Sequence, residues 1–132
     1  MKKIILSLAI IAAIGFTACK NDGKQITDTT EIPGKIAKAD TTFGVRGNCG
    51  MCKSTIEKAA NAVDGVSSAI WNVDEKKIKV SFDEAKTDAM AIHNAIAASG
   101  YDTEKVTGSE EAYKGLPACC KYDHEMDMNL NN

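Results

Sequence analysis

Between residues 41 and 106, apolar side chains recur at two spacings, every second residue and every third or fourth, and the switches between them mark out successive elements. Phe43 and Val45 stand two apart, which predicts a half-buried strand over 41–46 running into Gly47-Asn48-Cys49-Gly50-Met51-Cys52-Lys53. Ile56, Ala59, Ala60 and Val63 then follow the i, i+3, i+4, i+7 rule of an amphipathic helix over 53–63. Lys53, Glu57, Lys58 and Asn61 fill its polar face, and Asp64-Gly65 ends it. Ala69, Trp71 and Val73 alternate with polar or exposed positions over 67–73, as do Ile78, Val80 and Phe82 over 77–82. These are two strands joined by a tight turn at Asp74, Glu75 and Lys76. A second helix is expected over 87–99, with Thr87 as its N-cap, Ala89, Ile92 and Ile96 inward, and Gly100 at its C′ position. His93 falls on its flank as a boundary residue, and a short strand over 101–106 completes the series.

The order strand, helix, strand, strand, helix, strand, with every strand apolar on one side, gives an α/β (α+β) fold class. It predicts an antiparallel sheet with both helices on one face, the ferredoxin-like βαββαβ open-faced sandwich. In that topology the loop after the first strand and the loop before the last share one end of the sheet. Tyr101 therefore falls beside the two cysteines of the first loop.

Outside this unit the pattern changes. Residues 1–18 carry Lys2 and Lys3, an apolar run from Ile4 to Phe16 broken only by Ser7, and small residues before Cys19. That run is about 13 residues, against the roughly 20 needed to span a bilayer, so it reads as an export signal. Phe16-Thr17-Ala18-Cys19 resembles the bacterial lipobox, with phenylalanine where leucine is usual. The resemblance implies cleavage before Cys19, lipidation of that cysteine, and a domain held at a membrane of the bacterial cell envelope, facing the periplasm or the cell surface. A soluble secreted protein cut near Ala18 is the alternative. Residues 19–40 are polar, with Gly23, Pro33 and Gly34, and read as a tether with a reach of roughly 25 Å. Residues 107–132 form a tail in which Ser109 caps a short helix ended by Gly115.

A chain of 132 residues suits one modest domain, and its formal net charge of −2 with no basic stripe implies no nucleic-acid partner. The five cysteines matter more through their grouping: Cys19 alone, Cys49 with Cys52, and Cys119 with Cys120. Two cysteines two residues apart at a helix start can point both sulfurs at one ion. The unpaired N–H groups and positive dipole end there favour the thiolate form of both. A thiolate pair suits a two-coordinate soft cation such as Cu(I) better than Zn(II), which takes four ligands. The same spacing serves thiol–disulfide exchange, with Cys49 as nucleophile and Cys52 as resolving thiol. The run lacks the tryptophan or proline common at such oxidoreductase sites, and no part of the chain supplies the further βαβ segment that fold needs.

Gly47-Asn48-Cys49-Gly50-Met51-Cys52, Asp64-Gly65-Val66, the strand pair over 69–82 and Ala97-Ala98-Ser99-Gly100-Tyr101-Asp102 together resemble a heavy-metal-associated domain, over 41–106. That family includes copper chaperones, the N-terminal domains of copper-exporting ATPases and the periplasmic mercuric-ion scavenger. The resemblance implies metal ligation by Cys49 and Cys52, with Tyr101 close behind them. It implies Cu(I) as cargo, with Hg(II), Ag(I) or Zn(II) as alternatives. It also implies a monomeric carrier rather than an enzyme, exchanging its ion with a metal-transporting ATPase or another metal-site protein. A mercuric-ion scavenger and a subunit that docks to an exporter without carrying ions are the other readings. The family's loop carries a methionine two positions before the first cysteine, where this chain has Gly47, and Met51 lies between the cysteines instead. Met51 is a candidate for packing, exposure or thioether ligation near the site. In the tail, Cys119, Cys120, His124, Met126 and Met128 are further candidate ligands, able to fold back on the first pair or to hold a second ion. Structural disulfides for Cys119 and Cys120 are the alternative.

Overall fold

A computed structural model describes residues 38–128. The stretch expected to be an export signal, Cys19 and the expected tether as far as residue 37 lie outside the described residues, as do residues 129–132, while residues 38–40, expected in the tether, fall in the first strand. The described elements are β1 (Lys38–Gly44), α1 (Gly50–Asn61), β2 (Val66–Asn72), β3 (Lys77–Asp83), α2 (Ala89–Ala98), α3 (Glu110–Gly115) and a single 3-10 turn, Ala118–Cys120. Strand order is β1-β3-β2 with both pairings antiparallel, so β1, α1 and β2 form a crossover split by β3. Thr41 of β1 and Ala69 of β2 both face Val80 of the central strand.

Alternation decides which face of the sheet is covered. Ala69, Trp71, Ile78, Val80, Phe82 and Phe43 are buried in one cluster with Ile56 and Ala60 of α1 and Ile92 and Ile96 of α2. Their neighbours Ser68, Ile70, Asn72 and Lys79 face solvent. Each fully buried aliphatic side chain contributes about 1.5–3 kcal/mol, so this one layer of contacts dominates the stability of the unit. The fold is ferredoxin-like, and no described helix is long and apolar enough to cross a membrane.

Several local expectations are corrected. The strand expected over 101–106 is reduced to an isolated antiparallel bridge, Val45 with Thr103. Arg46 N–H donates to the Asp102 carbonyl at 2.9 Å and Glu104 N–H to that of Gly44 at 3.0 Å, which seats the segment beside β1. It then turns away, because the Thr103 hydroxyl accepts the Val106 N–H at 3.0 Å and Thr103 N–H reaches the Val106 carbonyl at 2.8 Å. Asp88, not Thr87, caps α2, its carboxylate accepting the Ala91 N–H at 2.8 Å. His93 is no boundary residue: it is 1% exposed, packs on Phe43 with ring centroids 3.8 Å apart, and hydrogen-bonds Thr103 at 2.8 Å. Burial holds its pKa below the usual imidazole value.

Lys53 and Glu57 do more than cover a polar face. The Lys53 ammonium pairs with Glu57 and donates to the Trp71 carbonyl at 2.6 Å, while the Glu57 carboxylate accepts the Trp71 N–H at 2.8 Å. β2 is an edge strand, and this pair satisfies peptide groups at Trp71 that no neighbouring strand reaches.

Candidate metal centre

β1 and the residues after it deliver the chain to the site. Val45 N–H donates to the Lys76 carbonyl at 2.8 Å, and the Val45 carbonyl accepts the buried indole N–H of Trp71 at 3.1 Å. The backbone next passes Gly47, where an added Cβ would lie 3.0 Å from the Trp71 ring and 3.2 Å from the Cys52 Cβ. Trp71 thus packs against the loop at Gly47, where any larger side chain would press on its ring. At the position where the family carries a methionine, this chain therefore sets a glycine against the indole of Trp71 from β2.

α1 opens directly on the sulfurs. Cys49 is its N-cap, in extended conformation (φ −148°, ψ 178°), and no side chain closes the first turn. The peptide N–H groups of Cys52 and Met51 face the Cys49 sulfur and hold its pKa down, to about 7 from 9.0. Cys52 is buried, and its sulfur accepts the Asn48 N–H at 3.3 Å. The two sulfurs stand 3.6 Å apart, close enough for both to bind one ion.

The tail folds back onto this loop. Cys49, Cys52, Cys119 and Cys120 are all free thiols, so no disulfide ties up the second pair. Cys120 Sγ lies 4.0 Å from that of Cys49 and 4.0 Å from that of Cys119, and the sulfurs of Cys49, Cys119 and Cys120 all lie within 4.8 Å of one another. Cys119 is exposed and meets the Met51 sulfur at 3.6 Å, with Met51 itself 55% exposed. Cys120 is 1% exposed, and burial pushes its thiol up to about 12. Tyr101 is wholly buried in the same core cluster as Cys52 and Cys120, and its hydroxyl has no hydrogen-bond partner. Burial first, and those thiols next, raise its pKa.

The other tail candidates are placed differently. His124 does not join the sulfur cluster: its Nδ1 lies 2.7 Å from the Asp102 carboxylate, and its ring packs on Tyr113 and Tyr122. Met126 packs at the margin of the core while its carbonyl accepts the Arg46 Nε–H at 2.8 Å, and Met128 is buried.

Sequence reasoning missed the residues that dock the tail. The Tyr122 hydroxyl accepts the Asp102 N–H at 2.9 Å and donates to the Gly100 carbonyl at 2.9 Å. Tyr113 donates to the Tyr122 carbonyl at 2.7 Å, and the Asn48 amide donates to that of Lys121 at 2.8 Å. Asp102 organises the rest. Burial opposes its charge, but the Gly108 N–H at 2.7 Å and His124 outweigh that and hold its pKa below the carboxylate range. Arg46 adds an ion pair at 3.2 Å. Gly100 (φ +95°) brings α3 close, with the Tyr113 backbone nitrogen 2.7 Å from where a Cβ would stand. Aromatic residues in an otherwise polar tail were the available signal.

The model of the heavy-metal-associated domain matches residues 43–102. The copper chaperone CopZ of Staphylococcus aureus (strain JH9) is 40% identical over 55 residues, covering 42% of this chain and 81% of that protein. Among solved structures, oxidised MerP from Ralstonia metallidurans CH34 is 33% identical over 52% of this chain and 96% of its own, with a TM-score of 0.50. A CopZ metallochaperone is 36% identical over 49% of this chain and 98% of its own, at a TM-score of 0.48.

Proposed function

Because this chain belongs to the heavy-metal-associated domain family and is built to bind and pass on metal ions, we propose that its cargo is Cu(I), held by Cys49 and Cys52 and passed to a partner by ligand exchange. One observation carries the reading: two free thiols 3.6 Å apart at an uncapped helix start, the outer one with its pKa held near 7. Charge density at Cys49 attracts the cation, and softness selects it. Similarity to a copper chaperone favours Cu(I) over Hg(II), Ag(I) and Zn(II). An incoming thiolate attacks the ion from the open side of Cys49, a shared intermediate forms, and the ion departs as its bonds to Cys52 and Cys49 break. The metal changes neither charge nor oxidation state, so no enzyme chemistry is required. The receiver is a metal-transporting ATPase or another protein with a thiolate pair.

The lipobox-like run ending at Cys19 supports a lipid anchor that holds the domain at the cell envelope. Fractionation tests this: the protein partitions with membranes and Cys19→Ser releases it, whereas an unchanged soluble protein contradicts the anchor. For function, Cu(I)-loaded chain is mixed anaerobically with an apo domain bearing a thiolate pair and the two are separated by ion exchange. Copper redistributing within minutes supports the proposal. Copper that stays put, or efficient reduction of insulin disulfides by the metal-free chain, contradicts it and favours thiol–disulfide exchange through Cys49 and Cys52.

A further inference from the structure

The family's site is an open pair, yet here the tail brings two further sulfurs, of Cys119 and Cys120, within 4.8 Å of that of Cys49. We propose that Cys120, supplied by the docked tail, is a third thiolate ligand, so that the chain closes a trigonal site of Cys49, Cys52 and Cys120 around one soft cation. The inference rests on the reading of Cys49 and Cys52 as metal ligands and adds to it the state in which the ion is retained.

Three observations carry it. The first is spacing. With metal–sulfur bonds of about 2.3 Å, a linear pair of ligands stands roughly 4.6 Å apart and a trigonal set roughly 4.0 Å. Cys49 Sγ already lies 3.6 Å from that of Cys52 and 4.0 Å from that of Cys120, so one sulfur is shared by both contacts. The second is fixation. Asn48, one residue before Cys49, holds the carbonyl of Lys121, one residue after Cys120, at 2.8 Å. Tyr122 is pinned next to it by two buried hydrogen bonds, and Cys120 N–H closes its turn on the Pro117 carbonyl at 2.8 Å. A side chain so held is positioned, not drifting past. The third is Tyr101, packed in the same core cluster as Cys52 and Cys120, whose fully buried hydroxyl has no hydrogen-bond partner of its own. An orphaned buried donor is costly, and a metal-bound thiolate beside it is the acceptor it lacks.

On binding, metal–sulfur bonds replace sulfur–hydrogen bonds and the displaced protons leave to solvent; no electron moves. The Cys119 sulfur also lies within 4.8 Å of those of Cys49 and Cys120, but it is exposed and meets Met51, which makes it the competing third ligand. Cys120 then occupies the position that a partner's thiolate must take during exchange, so the tail slows release until it lifts.

X-ray absorption of the Cu(I)-loaded full chain counts the sulfurs. Three neighbours are expected in the wild type and in Cys119→Ser, and two in Cys120→Ser and Cys120→Ala. Both Cys120 variants should still bind one Cu(I), about tenfold or more weakly. Two sulfurs in the wild type, or three in both Cys120 variants, overturns the third ligand while leaving the Cys49 and Cys52 reading intact. Absence of any bound Cu(I) in the wild type overturns both. Should both variants misfold, the Cys119→Ser count decides: three sulfurs there support Cys120 and two overturn it.

Discussion

Cys49 and Cys120 lie 4.0 Å apart at the sulfur, yet their surroundings push them in opposite directions. Cys49 heads an uncapped helix, reached by solvent and faced by peptide N–H groups, and its pKa falls to about 7. Cys120 ends a 3-10 turn beneath the docked tail, and burial lifts its pKa to about 12. Sequence spacing explains the contrast. Two intervening residues place Cys49 where N–H groups are unpaired, whereas the adjacent cysteines of the tail have no helix dipole behind them. The same element type, a cysteine pair, thus yields an anionic hook on one side and a neutral reserve on the other.

Removing the hook should have the largest effect. Cys49→Ser should weaken Cu(I) retention by more than the roughly 10–100-fold that a lost outer contact costs, measured as copper left after desalting against a chelator. Alkylation of the metal-free chain probes the contrast directly. A depressed pKa means thiolate present above about pH 7 and lost as pH falls through it, so carboxymethylation of Cys49 should decline below pH 7. Cys120 should be slower at neutral pH by several orders of magnitude, until unfolding exposes it. Equal labelling of the two at pH 7, resolved by peptide mass spectrometry, would erase the contrast.

Smaller changes sharpen it. Tyr122→Phe orphans a buried N–H at Asp102 and a carbonyl at Gly100, at about 1–3 kcal/mol for each group left unpaired, and should speed alkylation of Cys120 more than that of Cys49. Gly47→Ala presses on Trp71 and Cys52 and should lower stability by about 1–3 kcal/mol in urea denaturation. His124→Ala removes a partner of Asp102 that is itself 39% exposed, so a loss of about 0.5–1 kcal/mol is expected.

Much of the body was legible because its side chains alternate or recur cleanly: Trp71, Ile78, Val80 and Phe82 on the strands, Ile56, Ile92 and Ile96 on the helices. The strand after Tyr101 failed because a threonine side chain, Thr103, captured the backbone locally, and such a turn leaves no hydrophobic period. Asp88 and Thr87 are both good caps in adjacent positions, and only geometry separates them. His93 is polar by type, but its ring fills a gap beside Phe43, a pairing across 50 residues that no window reveals. For the site, the Cys49 and Cys52 spacing is plain in the sequence, and Gly47 stands out as a departure from the family's loop. That Trp71 packs against Gly47 required the sheet register. The tail's docking was invisible for a related reason: it rests on single hydrogen bonds from Asn48, Arg46 and Asp102 to backbone or tyrosine, which carry no periodic signature.

The most direct test is an anaerobic titration of the reduced full chain with Cu(I) in competition with a chromophoric chelator, repeated for the chain carrying both Cys49→Ser and Cys52→Ser. The account predicts one Cu(I) withdrawn from the chelator per wild-type chain and none by the double variant. A wild-type chain that withdraws no copper, or a double variant that withdraws as much, would contradict it.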